Sequence, residues 1–527
     1  MISSDRKTIR NVLFIMCDQL RWDYLSCYGH PTLATPHIDN LAKRGVRFDA
    51  AYVQSAVCVP SRMSYYTGRY VSSHGSTWNY VPLSVVQRTL GDFLEAAGLD
   101  AVLAGKTHVI PDRLGLQRFG MDPESTRGRR YLEGGFVEMD RYDGHAPPGA
   151  ESGYADYLRS KGYESDDPWS DFAIGALDEE GKFATGWLLR NAHLAARVDR
   201  NHSETAYMTD RALDFVRAKG DQPWVLHLSY VKPHWPLLAP APYNDLYRDA
   251  DTGPIIAVSA ETRPPHPVLA AYRTAHEDCL SYAQESVVRH VRPTYMGLIK
   301  EVDDHLGRLI AELEQLGRLD DTLIIFCSDH GDQLGDHGLG EKELFYEQAV
   351  RTPLIVVDPR AAADSTRGTA ESRFVEAIDV LPTILDALGL PQPDHLLEGR
   401  SLVPLLHGAH VENWRDCVFS ELDYAFRDAR RALNRGPDEC YAWMVRNARW
   451  KYVHYQGLRP QLFDMQEDPQ ELHDLGADPI FATVRGELKD RLADWLMTRK
   501  RRITLDNATV ERTTEGWKAL DMQIGVW

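Results

Sequence analysis

Residues 11–19 read "NVLFIMCDQ": a run of strand length, apolar from Val12 to Met16, that passes at its end into Cys17, Asp18 and Gln19. An apolar run without alternation fits a parallel strand buried on both faces, with polar residues at its carboxyl end. The same signature returns in "DAVLAG" (100–105), "WVLHLSYV" (224–231), "DTLIIFCSD" (321–329) and "PLIVVD" (353–358). Helical patterns lie between. "TPHIDNLAKRG" offers Thr35 as N-cap, Pro36 in the first turn and Gly45 as the stop, and Leu306, Leu309, Ile310 and Leu313 follow helical spacing. Alternating strands and helices predict an α/β fold, a mostly parallel sheet flanked by helices, over residues 1–410.

Past about residue 410 the texture changes. "YAWMVRNARWKYVHY" (441–455) reads as two strands around an Asn-Ala-Arg turn, followed by a helix through Leu488, Leu492 and Trp495. We read 411–500 as a small α+β subdomain. Residues 501–527 form an arm ending in Ile524, Val526 and Trp527, suited to packing on another subunit or on its own domain.

The 527 residues, 43% hydrophobic and 26% charged, suit a soluble globular enzyme. A net charge of −18 disfavours nucleic acid and anionic membranes as partners. The opening shows no signal-peptide pattern, and no window is apolar over the roughly 20 residues a spanning helix needs. Seven scattered cysteines without a C-x-x-C pair argue against a disulfide framework or zinc knuckle, so the expected compartment is the cytoplasm.

Polar clusters end four of the strands: Asp18-Gln19, Gly105-Lys106-Thr107-His108, Lys232-Pro233-His234 and Asp329-His330-Gly331-Asp332. Ligands bind outside those ends in open α/β sheets. Asp18, Asp329 and His330 offer a ligand set for one divalent cation, with the Gln19 amide oxygen as a further candidate. Oxygen ligands favour Ca²⁺ or Mg²⁺, whereas the imidazole favours Mn²⁺, Zn²⁺ or Fe²⁺. Cys58 stands in "SAVCVPSRMSYYTGR", where a tyrosine-phosphatase loop would need Arg at the position of Ser64. A packing cysteine would be expected in an apolar run instead of beside Pro60, Ser61 and Arg62.

"CVPSRMSYYTGR" resembles the C-x-P-S-R…T-G-R signature of the formylglycine sulfatases of the alkaline phosphatase superfamily. Further segments resemble sulfatase landmarks in the expected order, among them "GKTH", "KPHWP", "SDHGDQLGDHGL" and "IDVLPTILDALG". Asp18-Gln19, Asn79 and the C-terminal arm are similar instead to the phosphonate monoester hydrolase branch. Lys106 and His108 look like the sulfatase pair.

The resemblance implies a sulfatase fold and conversion of Cys58 to formylglycine by a formylglycine-generating oxidase. It also implies one divalent metal (Ca, Mn or Zn) held by Asp18, Gln19, Asp329, His330 and residue 58. The hydrated aldehyde carries two hydroxyls: one attacks the ester, and the other then releases the covalent ester by C–O scission. Arg62 would hold the aldehyde hydrate, and Lys106 and Lys342 would neutralise anionic oxygens. His234 would act as general acid, His108 as the base for collapse, and Asn79 would donate to a non-bridging oxygen or else shape a turn. The expected activity is hydrolysis of small sulfate monoesters with promiscuity toward phosphonate monoesters and phosphodiesters, the alternative being a phosphonate monoester hydrolase or phosphodiesterase with side sulfatase activity. The expected assembly is a homo-oligomer, tetramer or dimer. "WPLLAPAPY" and the aromatics Trp169, Phe172, Trp187 and Tyr230 are candidates for the substrate pocket.

Overall fold

The computed structural model describes residues 8–144, 152–516 and 520. The first residues of the chain and the apolar terminus Ile524, Val526 and Trp527 lie outside the described residues. Eight strands make the central sheet: β1 (Asn11–Asp18), β2 (Val46–Phe48), β3 (Ala101–Gly105), β4 (Val137–Arg141), β5 (Trp224–Pro233), β6 (Thr322–Ser328), β7 (Leu354–Val357) and β8 (Thr369–Glu371). Their order is β8-β2-β7-β6-β1-β5-β3-β4. β6, β1, β5, β3 and β4 pair in parallel, whereas β7 runs antiparallel to both β6 and β2. All five apolar runs are strands, and the fold is the expected mostly parallel α/β sheet.

Every residue of β1 is buried. Its side chains alternate between two cores, as the period of a strand requires. Val12, Phe14 and Met16 join Leu323, Ile325 and Cys327 on one face; Leu13, Ile15 and Cys17 join Ile324 and Phe326 on the other. The second face is covered by α1 (Pro36–Arg44), α3 (Glu204–Lys219) and α4 (Glu285–Gln315), and the first by α2 (Cys58–Thr67). Leu306, Leu309, Ile310 and Leu313 of α4 are buried together, as their spacing predicts.

Two details of α1 differ from expectation. Thr35 holds the N-cap position without capping through its side chain. Its hydroxyl instead accepts from the Ser26 amide at 3.1 Å, and Asp303 of α4 takes the His37 and Ile38 amides, both at 2.9 Å. Gly45 ends the helix in extended backbone, and a Cβ there would lie 2.2 Å from the Val356 carbonyl oxygen. Close approach of β7, not a left-handed turn, requires glycine.

The C-terminal sheet is an antiparallel meander of β9 (Cys417–Asp423), β10 (Tyr441–Asn447), β11 (Trp450–Tyr455) and β12 (Gln461–Asp464). One face packs under α5 (Ala482–Met497), where Trp495 stacks on Phe419 with ring centroids 4.5 Å apart. The other sends Val418, Leu422, Met444, Val453 and Phe463 into the core that also holds Phe14 and Met63. No described helix is long and apolar enough to cross a membrane.

Candidate active site

The carboxyl ends of β1, β6, β3 and β5 lie side by side, so the four polar clusters meet at one edge of the sheet. Asp329 follows β6 and accepts the Gln19 amide at 3.0 Å, which ties the two central strand ends together. Cys58 opens α2, a helix whose ten residues are all buried. Val57, at its N-cap, has no side-chain acceptor; Asn79 Oδ1 serves instead, taking the Val59 amide at 3.0 Å. Arg62 lies one turn beyond Cys58, on the same side of the helix. Its Nε donates to Asp329 Oδ2 (2.8 Å), Nη2 to Asp18 Oδ2 (3.2 Å), and Nη1 to the Lys106 carbonyl (2.7 Å) and Ser229 Oγ (2.9 Å). In this geometry Arg62 bridges the two carboxylates, one turn of helix from residue 58.

Asp18, Cys58, Asp329 and His330 are all buried and bring four ligand atoms within 4.8 Å of one another. His330 Nε2 is 3.1 Å from Cys58 Sγ, 3.8 Å from Asp18 Oδ1 and 3.7 Å from Asp329 Oδ1. Its Nδ1 lies 2.9 Å from the Gly331 carbonyl oxygen, an acceptor, which puts the proton on Nδ1 and leaves the Nε2 lone pair facing the cluster. Two carboxylates and a correctly turned imidazole fit a divalent cation. Gln19 is turned elsewhere: its amide oxygen accepts from Lys342 Nζ at 3.0 Å, and its amide nitrogen donates to Asp332.

Burial favours a neutral Asp18, but Lys106, which donates to its Oδ2, together with Arg62, holds it well below the ordinary carboxylate range. Burial and Asp18 push the Cys58 thiol up, yet the cations led by Lys106 and Lys342 outweigh them and hold it below its usual value. The site is therefore built for a negative charge at residue 58.

Lys342 Nζ stands 3.3 Å from Cys58 Sγ and 3.0 Å from His234 Nε2. Burial first, then Lys342, keeps His234 well below the usual imidazole value, so Nε2 accepts from the ammonium while Nδ1 lies 2.6 Å from the Trp235 carbonyl oxygen. Above this floor opens a cavity of about 570 Å³ lined by Cys58, Asn79, His108 and Lys342, with Trp187 and Trp235 on its wall. Several of these residues occupy left-handed backbone that is disfavoured for L-residues: Gln19 (φ 66°), His108 (φ 56°), Glu341 (φ 55°) and Glu343 (φ 76°).

The structure thus gathers Asp18, Gln19, Cys58, Arg62, Lys106, His234, Asp329, His330 and Lys342 in direct contact, and places Asn79 and His108 on the cavity wall. Of the aromatics, Trp187 and Trp235 face the cavity. Trp169 and Tyr230 are buried in the core, and Phe172 packs partly buried against it. Asp332, Glu343 and Arg427 also belong to the surroundings of the site, in contact with Gln19, with Arg427 and with Glu343 respectively. Asp332 follows the ligands in "DHGD", which was a signal; Arg427, from beyond residue 410, carried none.

A family model described as Sulfatase matches residues 10–390, and one described as N-sulphoglucosamine sulphohydrolase, C-terminal, matches residues 335–498. The chain is 33% identical to the multifunctional alkaline phosphatase superfamily protein PehA of Trinickia caryophylli, covering 93% of this chain and 96% of that protein. It is 27% identical to an arylsulfatase of Clostridium perfringens, over 88% and 90% of the two chains. The solved phosphonate monoester hydrolase SpPMH of Silicibacter pomeroyi superposes with a TM-score of 0.81 at 30% identity, covering 94% of this chain and 96% of that one. The order of strand ends, the buried cysteine on its helix and these matches lead to one conclusion: this chain belongs to the sulfatase family, within the alkaline phosphatase superfamily.

Proposed function

We propose that this protein hydrolyses sulfate monoesters, with activity toward phosphonate monoesters, using residue 58 as a formylglycine nucleophile beside one divalent metal ion. The observation that carries this reading is the setting of Cys58. It lies on the floor of a cavity, at the start of a buried helix, between Lys342 at 3.3 Å and His330 at 3.1 Å.

Asp18, Asp329, His330 and residue 58 would hold the metal, which when bound supplies Lewis-acid polarisation and a lowered pKa for a neighbouring hydroxyl. The aldehyde hydrate supplies two hydroxyls on one carbon, so the chain can release its ester by C–O scission, a route closed to serine or cysteine. Arg62 keeps both carboxylates in place. Lys106 offsets Asp18, and Lys342 stabilises charge on the ester oxygens from a largely buried position at the cavity floor. His234 Nε2 lies 3.0 Å from Lys342 Nζ, so the two act together at the leaving oxygen, His234 as the general acid and Lys342 as the cation that stabilises the developing charge. His108, on the cavity wall, is retained as the base for release.

Cys58 is 1% exposed, so we infer that an oxidase converts it before the chain closes around α2. With Cys58 converted, six unpaired thiols remain and fit a reducing compartment, and we place the protein in the cytoplasm. The assembly we propose is a homo-oligomer, tetramer or dimer, as the resemblance to the phosphonate monoester hydrolase branch implies, and light scattering decides it.

The alternative ranking, phosphonate over sulfate, is favoured by one observation: the solved phosphonate monoester hydrolase SpPMH superposes over 96% of its length with a TM-score of 0.81. The test is kcat/KM on aryl sulfate and aryl phosphonate monoesters with the same leaving group, on protein carrying one equivalent of Ca, Mn or Zn by elemental analysis. We expect sulfate to be preferred by at least about tenfold, about 1.4 kcal/mol in the transition state. The opposite preference makes this a phosphonate monoester hydrolase with side activity on sulfates.

A further inference from the structure

Lys342 sits in an irregular segment whose backbone resists the shape it holds: Glu341, Glu343 and Leu344 have φ of 55°, 76° and 46°. Something must fix it, and Glu343 supplies the attachment. This side chain is 1% exposed. Its Oε2 accepts from the Tyr272 hydroxyl at 2.7 Å, its Oε1 accepts from Arg427 Nε at 2.6 Å and also from Arg427 Nη2, and its amide donates to the Ala56 carbonyl at 3.2 Å. Ala56 lies two residues before Cys58. Glu343 therefore joins the Lys342 segment to the chain entering α2.

Arg427 comes from the C-terminal part of the chain, yet it lines the active-site cavity. Its guanidinium lies 5.2 Å from the centroid of the Trp78 ring, which stacks in turn on Phe426 at 5.7 Å. Trp78 precedes Asn79, the residue that caps the nucleophile helix. One guanidinium thus touches both arms of the site, the Lys342 segment through Glu343 and the Asn79 cap through Trp78. Burial alone would favour a protonated Glu343, but Arg427 holds it below the ordinary carboxylate range, so the link is an ion pair.

We propose that Arg427 is a positioning residue for Lys342: through Glu343 and Trp78 it sets the distance between the Lys342 ammonium and residue 58. The inference rests on the role given to Lys342 above. It does not require Arg427 to touch the substrate.

The test compares Arg427→Gln, Arg427→Lys and Glu343→Gln with Lys342→Ala, using aryl sulfates of similar size and graded leaving-group pKa. Glu343→Gln keeps its volume and its acceptor oxygen for Tyr272, so it carries the test even where Arg427→Gln does not fold. We expect Arg427→Gln and Glu343→Gln to lower kcat by about 10- to 100-fold. KM should move far less, and the dependence of rate on leaving-group pKa should steepen, as in Lys342→Ala. Arg427→Lys, which restores a cation, should recover part of the loss. The double variant Arg427→Gln/Lys342→Ala should be no slower than Lys342→Ala alone, because both changes remove one interaction. A wild-type leaving-group slope in Arg427→Gln, or losses that multiply in the double variant, would overturn the positioning role while leaving the function intact. A Lys342→Ala enzyme with unchanged kcat and slope would instead remove the role of Lys342 itself, and the inference with it.

Discussion

Asn79 shows how one residue can carry two structural duties that a linear reading separates. The sequence offered a hydrogen-bond donor to substrate or a turn former; the structure adds a cap, twenty residues away along the chain, on the helix that presents Cys58. Asn79→Ala should cost about 1 kcal/mol of stability through the lost cap. Asn79→Asp should keep the thermal midpoint of the parent, since a carboxylate accepts the same Val59 amide and suits a helix N-terminus. Equal destabilisation by both changes would show that the cap is not what Asn79 provides. The reading of Asp18, Asp329 and His330 needed only the rule that strand ends carry ligands. The redirection of Arg62 onto two carboxylates, and of Gln19 onto Lys342 and Asp332, depended on side-chain directions that spacing does not encode.

At the scale of elements, continuous apolar runs were legible because a strand buried on both faces leaves no alternation to confuse with a helix. The short strands β2 and β8, and β4 with its partly exposed "VEMDR", escaped for the opposite reason. Thr35 illustrates a local rule overridden by tertiary structure, since Asp303 takes the amides a cap would serve. Strand β9 carries a further consequence. Glu421 lies in it, buried, and accepts the Ser72 amide at 2.9 Å.

Burial pushes Glu421 from 4.5 up to about 7, and Glu133 and Glu301 likewise. The native state then holds protons that the unfolded chain has already lost. Stability from these groups is greatest below about pH 4.5 and falls as pH rises to about 7, by up to roughly 3 kcal/mol each. Glu421→Gln should flatten this decline when urea midpoints are compared at about pH 5 and about pH 8. A variant that loses as much stability as the parent over that interval would show that Glu421 does not carry the proton.

On the scale of the whole molecule, the change of texture at residue 410 marks a change of sheet, not of core. Val418, Leu422 and Met444 share a hydrophobic cluster with Phe14 of the central sheet. The C-terminal family match, which starts at residue 335, likewise spans the proposed division into 1–410 and 411–500. The Lys342 segment sits where the two sheets meet, which explains how Arg427 reaches it. None of this was visible in sequence, because it depends on which face of β9 to β12 turns inward. The contact of Arg427 with Glu343 ties the C-terminal part of the chain to the Lys342 segment.

The most direct test of the account is to separate or enrich preparations by the fraction of residue-58 peptide that carries the aldehyde, measured by peptide mass, and to compare turnover on an aryl sulfate. The account predicts multiple turnover in proportion to that fraction and none in Cys58→Ala. Activity that does not change with aldehyde content, or that survives Cys58→Ala, would contradict it.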